Sequence, residues 1–236
     1  MKPSSLKILN GERRHRRAAI LLTDLTKGND RVVREGDPIA GALGEVVAKA
    51  FRTGLSTTVE HAGSTYFLNV YPPRPRLVVI GAVHISQALA PMARIAGFDL
   101  EIIDPRTAFA TPDRFPEVPL FAEWPEDALK ARPLDAYTAL AALTHDPKID
   151  DLPLKAALDT GCFYVGALGS RKTHAKRVER LLNAGTAPED IERIHAPIGL
   201  DIGAASPAEI AVAVLAQVVK ALRSRGLGDS AKGRAA

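Results

Sequence analysis

From Arg76 onward, short continuous apolar runs alternate with segments of helical period. "RLVVIGA" is followed by "ISQALAPMARIAG", closing on Gly97. "FDLEIID" leads into a loop-rich connection with a short helix from Pro125. "DAYTALAALTH" precedes "DLPLKAALDTG", for which Asp151 is the expected cap, and "CFYVGALG" precedes "SRKTHAKRVERLLNAG". A strand that is apolar throughout must be covered on both faces, and strand and helix in turn require crossover connections. The pattern predicts an α/β protein with a Rossmann-like parallel sheet over residues 77–225. Two further helices carry start signals. "SPAE" places Ser206 at the N-cap, Pro207 at N1 and Glu209 at N3, and "TAPE" repeats the pattern from Thr186 to Glu189.

Upstream, residues 1–71 read as a small α+β domain. Here the run "AAILLTDLT" is strand-like, and "STTVEH" and "STYFLNVY" are two extended runs. In "DPIAGALGEVVAKAFRTG" the residues Ile39, Leu43, Val46, Val47, Ala50 and Phe51 recur at helical steps and predict one core-facing side. "YPPRPR" has three prolines in four residues, which opposes helix and sheet ladder alike, so residues 72–76 are expected to be a linker. Residues 226–236, "GLGDSAKGRAA", are expected to be a disordered tail. A length of 236 residues accommodates this division.

In an open parallel sheet, ligands bind beyond the carboxyl ends of the strands. The candidate binding residues there are Gly81 and His84 after the first strand, and Asp104 and Arg106 after the second. His145 and Asp146 follow the next strand, and Gly169, Ser170, Arg171 and Lys172 follow the last. A dinucleotide turn would read G-x-G-x-x-G, but here it reads Gly81, Val83 and Ser86, so a branched side chain stands where backbone should approach a pyrophosphate. Asp104, 23 residues after Gly81, is near the place of a ribose-binding carboxylate. "GSRK" is the stronger anion signal. Ser170 is placed to cap a helix with Arg171 and Lys172 in its first turn, where positive side chains oppose the helix dipole unless an anion or tertiary carboxylates sit among them. His145 with Asp146 could serve as acid and base, or Asp146 as a helix cap.

The net charge is +4, with basic clusters "GERRHRR" and "GSRKTHAKR" that favour anionic ligands, although a solvated helix face explains such runs equally well. An aromatic share of 5% argues against a base-stacking surface, so no nucleic-acid partner is expected. The longest apolar segment, Ile210 to Val219, is too short to span a bilayer, so no membrane association is expected. The single Cys162 fits a reducing compartment, hence a cytoplasmic location, and reads as packing rather than a nucleophile. No spacing of His, Cys and carboxylates resembles a metal site, and no catalytic residue can be assigned.

The segments "LVVIGAVHISQALAPMARIAGFDLEIIDPRTAFATPDRFP", "THD", "YVGALGSRKTHAKRVERL" and "RIHAPIGLDIGAASPAEIAVAVLAQVV" together resemble the XdhC/CoxI family of xanthine dehydrogenase accessory factors, from about Arg76 to Leu222. The resemblance implies a factor without turnover of its own. Such a factor binds molybdenum cofactor, as molybdopterin or its dinucleotide form, and delivers it to a molybdenum hydroxylase such as xanthine dehydrogenase. It also brings His195 to Asp201 into the pocket as a neighbouring loop, and it adds a cysteine desulfurase as a second partner in some members. A homodimer is a further partner expectation. Two departures stand out: the family's turn resembles G-A-G-H-x-G, and its N-terminal domain commonly carries Gly-Gly-Cys, where this chain has Gly41-Ala-Leu. The residues leave two other readings open. One is an NAD(P)-dependent oxidoreductase, resting on the Gly81 turn and Asp104; the other is a degenerate Rossmann-like scaffold for protein interaction.

Overall fold

The computed structural model describes residues 1–225. The chain divides into two compact units, Met1–Arg74 and one running from Pro75 to Leu222.

The first unit is an antiparallel sheet of order β2-β1-β4-β3, built from β1 (Ala19–Asp24), β2 (Asn29–Arg34), β3 (Thr57–His61) and β4 (Ser64–Tyr71). Its helices are α1 (Pro3–Arg14) and α2 (Gly41–Thr53). β1 is apolar throughout because it is covered twice. Ile20 and Leu22 pack with Leu43, Val47 and Ala50 of α2, while Ala19 and Leu21 pack with Leu9 of α1. Part of the basic cluster here is structural, since Arg17 and Arg34 both hold the buried Glu12, at 2.7 and 2.9 Å.

The second unit is a six-stranded sheet of order β10-β9-β8-β5-β6-β7 with every neighbouring pair parallel. Its strands are β5 (Arg76–Ile80), β6 (Asp99–Ile103), β7 (Leu120–Phe121), β8 (Thr138–Ala142), β9 (Tyr164–Ala167) and β10 (Ile194–His195). The helices are α3 (His84–Ile95), α4 (Pro125–Ala131), α5 (Pro147–Asp159), α6 (Arg171–Asn183), α7 (Pro188–Ile191) and α8 (Pro207–Ser224). Leu77 and Val79 pack with Leu89, Ala93, Val214 and Val218 of α3 and α8 on one face. Val78 and Ile80 pack with Leu154, Leu158 and Leu181 of α5 and α6 on the other. Strand order reverses between β5 and β8, which is the switch point where such sheets open a crevice.

Three details differ from the sequence reading. α5 begins earlier than expected, capped by Asp146 rather than Asp151, because Pro147 supplies the favoured first position. Thr186 does not cap α7; Ala187 occupies that place without a side-chain bond. The strands β2, β7 and β10 and the helix α1 carry no pattern that the sequence reading picked up. The Ser206 box forms as expected, Glu209 N–H donating to Ser206 Oγ (3.2 Å) and Ser206 N–H to Glu209 Oε2 (2.9 Å). The tail expectation, residues 226–236, lies outside the described residues. No helix among the described residues is long and apolar enough to cross a membrane.

Candidate functional site

At the switch point Gly81 has φ +118°, and a Cβ there would lie 2.9 Å from Thr144 Cγ2. Glycine is required because the β5 turn and the loop after β8 touch at that point. The turn's hydrogen-bonding groups are consumed internally. Ser86 Oγ donates to the Gly81 carbonyl (2.5 Å) and faces the Val83 N–H (3.4 Å), while the Ala82 N–H donates to Asp104 Oδ2 (2.7 Å). A pyrophosphate would find no free donor at Ala82. His84, the first residue of α3, is exposed.

Asp104 is fully buried. Besides Ala82, it accepts from the Arg106 N–H (2.9 Å), from Arg106 Nε (2.9 Å) and from Arg106 Nη2 (2.7 Å). These bonds fill the acceptor capacity of a carboxylate, so a ribose hydroxyl has nothing left to donate to. Burial pushes the Asp104 carboxyl up, but the Arg106 side chain and the Ala82 and Arg106 amides outweigh it and hold the group below the ordinary carboxylate range. Asp104 thus orients Arg106, whose guanidinium lies 4.6 Å from the Phe109 ring centroid and feels the charges of Asp150 and Asp146. Arg114, which sequence reasoning missed, ties this loop to the turn, with Nη1 donating to the Ala82 carbonyl (3.0 Å). No signal in a proline-bounded loop marks it.

After β8 the chain passes through His145, which has φ +64°, a left-handed conformation that strains a non-glycine residue. Burial and the nearby Arg177 charge lower the His145 pKa, favouring the neutral ring. Asp146 acts as the cap, accepting from the Lys148 N–H (2.9 Å). Thr144 Oγ1 donates to Asp150 Oδ1 (2.7 Å). The other oxygen of Asp150 is buried without a hydrogen-bond partner among the described residues, and burial, only partly offset by Thr144 and the Arg177 charge, pushes its carboxyl up to about 6.

After β9, Gly169 has φ +133°, with space for a Cβ limited by Thr173 at 3.1 Å and His145 Nδ1 at 3.7 Å. Ser170 caps α6, accepting from the Thr173 N–H (3.2 Å). Arg171 and Lys172 occupy the first turn with no acidic residue beside them, and neither has a partner among the described residues. Tertiary carboxylates therefore do not relieve the conflict with the dipole. Lys172, Thr173, Lys176, Arg177 and Arg180 line a groove of about 350 Å³ together with His145.

The edge thus brings Gly81, Asp104, Arg106, His145, Asp146 and Gly169 into one chain of neighbours, continued by the first turn of α6. His195 is not tied to it by any described contact. It stacks on Tyr164 (5.0 Å between ring centroids), and burial with the Lys220 charge lowers its pKa. Asp201 is exposed and has no described partner. The loop between them is anchored by Gln217, which accepts from Tyr164 Oη and the Gly199 N–H, both at 2.8 Å. Cys162 is buried, and burial pushes its thiol up to about 11, away from nucleophilic use. Among the described residues no group of His, Cys and carboxylates could hold a metal ion.

A six-stranded parallel sheet with this strand order defines a Rossmann-type domain. Residues 77–218 match the model of the XdhC Rossmann domain. The chain belongs to the XdhC family. It is 35% identical over 159 residues to an uncharacterised protein, YqeB, of Escherichia coli, covering 65% of this chain and 28% of the relative. It is 32% identical over 155 residues to a probable xanthine dehydrogenase subunit of Bacillus subtilis, covering 65% and 45%. It is also 32% identical over 148 residues to the molybdenum cofactor insertion chaperone PaoD of E. coli, covering 63% and 40%. The matches thus span less than half the length of these relatives. A crystal structure described as a xanthine dehydrogenase from Bacillus halodurans shares the fold, with a TM-score of 0.65 at 22% identity over 94% of this chain and 65% of the other.

Proposed function

We propose that the chain is an accessory factor that binds molybdenum cofactor at the carboxyl edge of its Rossmann sheet and passes it to a molybdenum hydroxylase such as xanthine dehydrogenase. The observation that carries this reading is the pair Arg171 and Lys172, which stand without partners among the described residues at the Ser170-capped start of α6, in a chain of the XdhC family. A phosphate-bearing cargo supplies the negative charge that this helix start lacks. Arg106, fixed by Asp104, adds a third cation on the opposite side of the switch point. His145 lines the groove beside α6, and its neutral ring can exchange a hydrogen bond with a pterin without adding charge, while the exposed His84 at the start of α3 joins the site only as part of this reading. The loop from His195 to Asp201 belongs to the same reading only as a neighbouring wall.

The internally satisfied Gly81 turn and the saturated Asp104 carboxylate oppose an NAD(P) mode, because both groups that would hold that nucleotide are already engaged. The test is purification from a molybdenum-replete host, followed by oxidation and fluorescence detection of released pterin. Pterin at a substantial fraction of the protein supports the reading, and protein free of pterin that also fails to bind added cofactor overturns it.

A further inference from the structure

We infer that the groove between the N-terminal ends of α5 and α6 is a seat for the phosphoryl group of a phosphate ester, with Arg177 as its floor. Arg177 is only 2% exposed, yet a single bond is made by its guanidinium, from Nη2 to the Leu168 carbonyl (3.0 Å). Nε and Nη1 are buried without a hydrogen-bond partner among the described residues. A buried guanidinium is costly unless its donors are satisfied, and an orphaned charged donor in a folded interior calls for a ligand. Its nearest carboxylates do not meet that demand. Asp151 is taken by Arg180 (2.5 and 3.1 Å), and Asp150, although its charge acts on Arg177, forms no hydrogen bond with it among the described residues.

The rest of the lining fits the same ligand. Lys172, Lys176 and Arg180 recur at four-residue steps on α6, so their like charges repel along one stripe. Lys172 and Lys176 have no partner side chain among the described residues. Thr173 adds a hydroxyl, and the fork of Arg177 suits the paired oxygens of a phosphoryl group. The groove also reaches His145 at the carboxyl edge, leaving room for the remainder of an ester. The seat shares Lys172 with the helix start used by the proposed function and extends from it one to two turns along α6. It rests on that reading only for the identity of the ester.

The full chain is titrated with inorganic phosphate and with ribose 5-phosphate at constant ionic strength, by calorimetry. Saturable binding of both is expected, weakened about tenfold or more in Lys176→Ala and in Arg177→Lys. If Arg177→Lys fails to fold, the variant at the exposed Lys176 decides alone. No binding beyond that of chloride, equal affinity in the Lys176 variant, or binding of inorganic phosphate with exclusion of the ester overturns the assignment. Pterin carried by a protein that ignores both phosphates would remove the seat and spare the cargo reading. Ester binding by a protein that never carries pterin would do the reverse.

Discussion

Arg106 grips Asp104 through both carboxylate oxygens, at 2.9 and 2.7 Å, while the same carboxylate holds the Ala82 N–H of the Gly81 turn. One buried acid thereby couples the ends of β5 and β6. Asp104→Asn is expected to lower stability at pH 7 by about 3 kcal/mol, since it leaves a guanidinium without its counter-charge. The Asp104 pKa is depressed in the fold. Its contribution is therefore present above the unfolded value near 3.8 and is lost as pH falls through the lower folded value. Urea denaturation at pH 7 and at pH 3 checks this: the gap between the two proteins should narrow at the lower pH.

Asp150 should behave in the opposite sense. Its carboxyl is raised to about 6 by burial, so the fold favours the protonated form. That contribution is fully present below the unfolded value and is lost as pH rises through about 6. Asp150→Asn keeps an acceptor for Thr144 and removes the charge. It should stabilise the protein at pH 8 by up to roughly 2–3 kcal/mol and have little effect at pH 4, as measured by denaturant titration at both values.

Ser86→Gly restores the third glycine of the dinucleotide pattern. It also deletes the hydroxyl that serves the Gly81 carbonyl. The expected result is a loss of about 1–3 kcal/mol with no gain in NAD(P) affinity. Thermal denaturation with and without millimolar NAD(P) reads both outcomes.

Much of this arrangement was legible in the sequence, because strands covered on both faces show as unbroken apolar runs, as in Leu77 to Ile80 and Tyr164 to Ala167. The rest was hidden for identifiable reasons. β2 is an edge strand whose residues are mostly half-exposed or exposed, and β7 and β10 have two residues each, too few to show a period. Asp146 and Asp151 both looked like caps, and only the proline at 147 separates them. Arg177 sits in a basic run that reads as a solvated face. Its burial comes from packing of α6 on the sheet, which no local pattern reveals. Asp104 was found by spacing, but its work through Arg106 required the geometry.

Arg171→Ala/Lys172→Ala removes two exposed cations whose side chains make no hydrogen bond or ion pair among the described residues, so stability should change by no more than about 0.5 kcal/mol. Affinity for molybdenum cofactor should fall about tenfold or more, since each charge-assisted bond to phosphate is worth about 1.5–3 kcal/mol.

The most direct test is a titration of the purified chain, and of this double variant, with molybdopterin under anaerobic conditions, followed by pterin absorbance after removal of free cofactor. Retention by the parent chain with loss in the variant is the expected result. Equal retention by both, or by neither, would contradict cofactor binding at the start of α6.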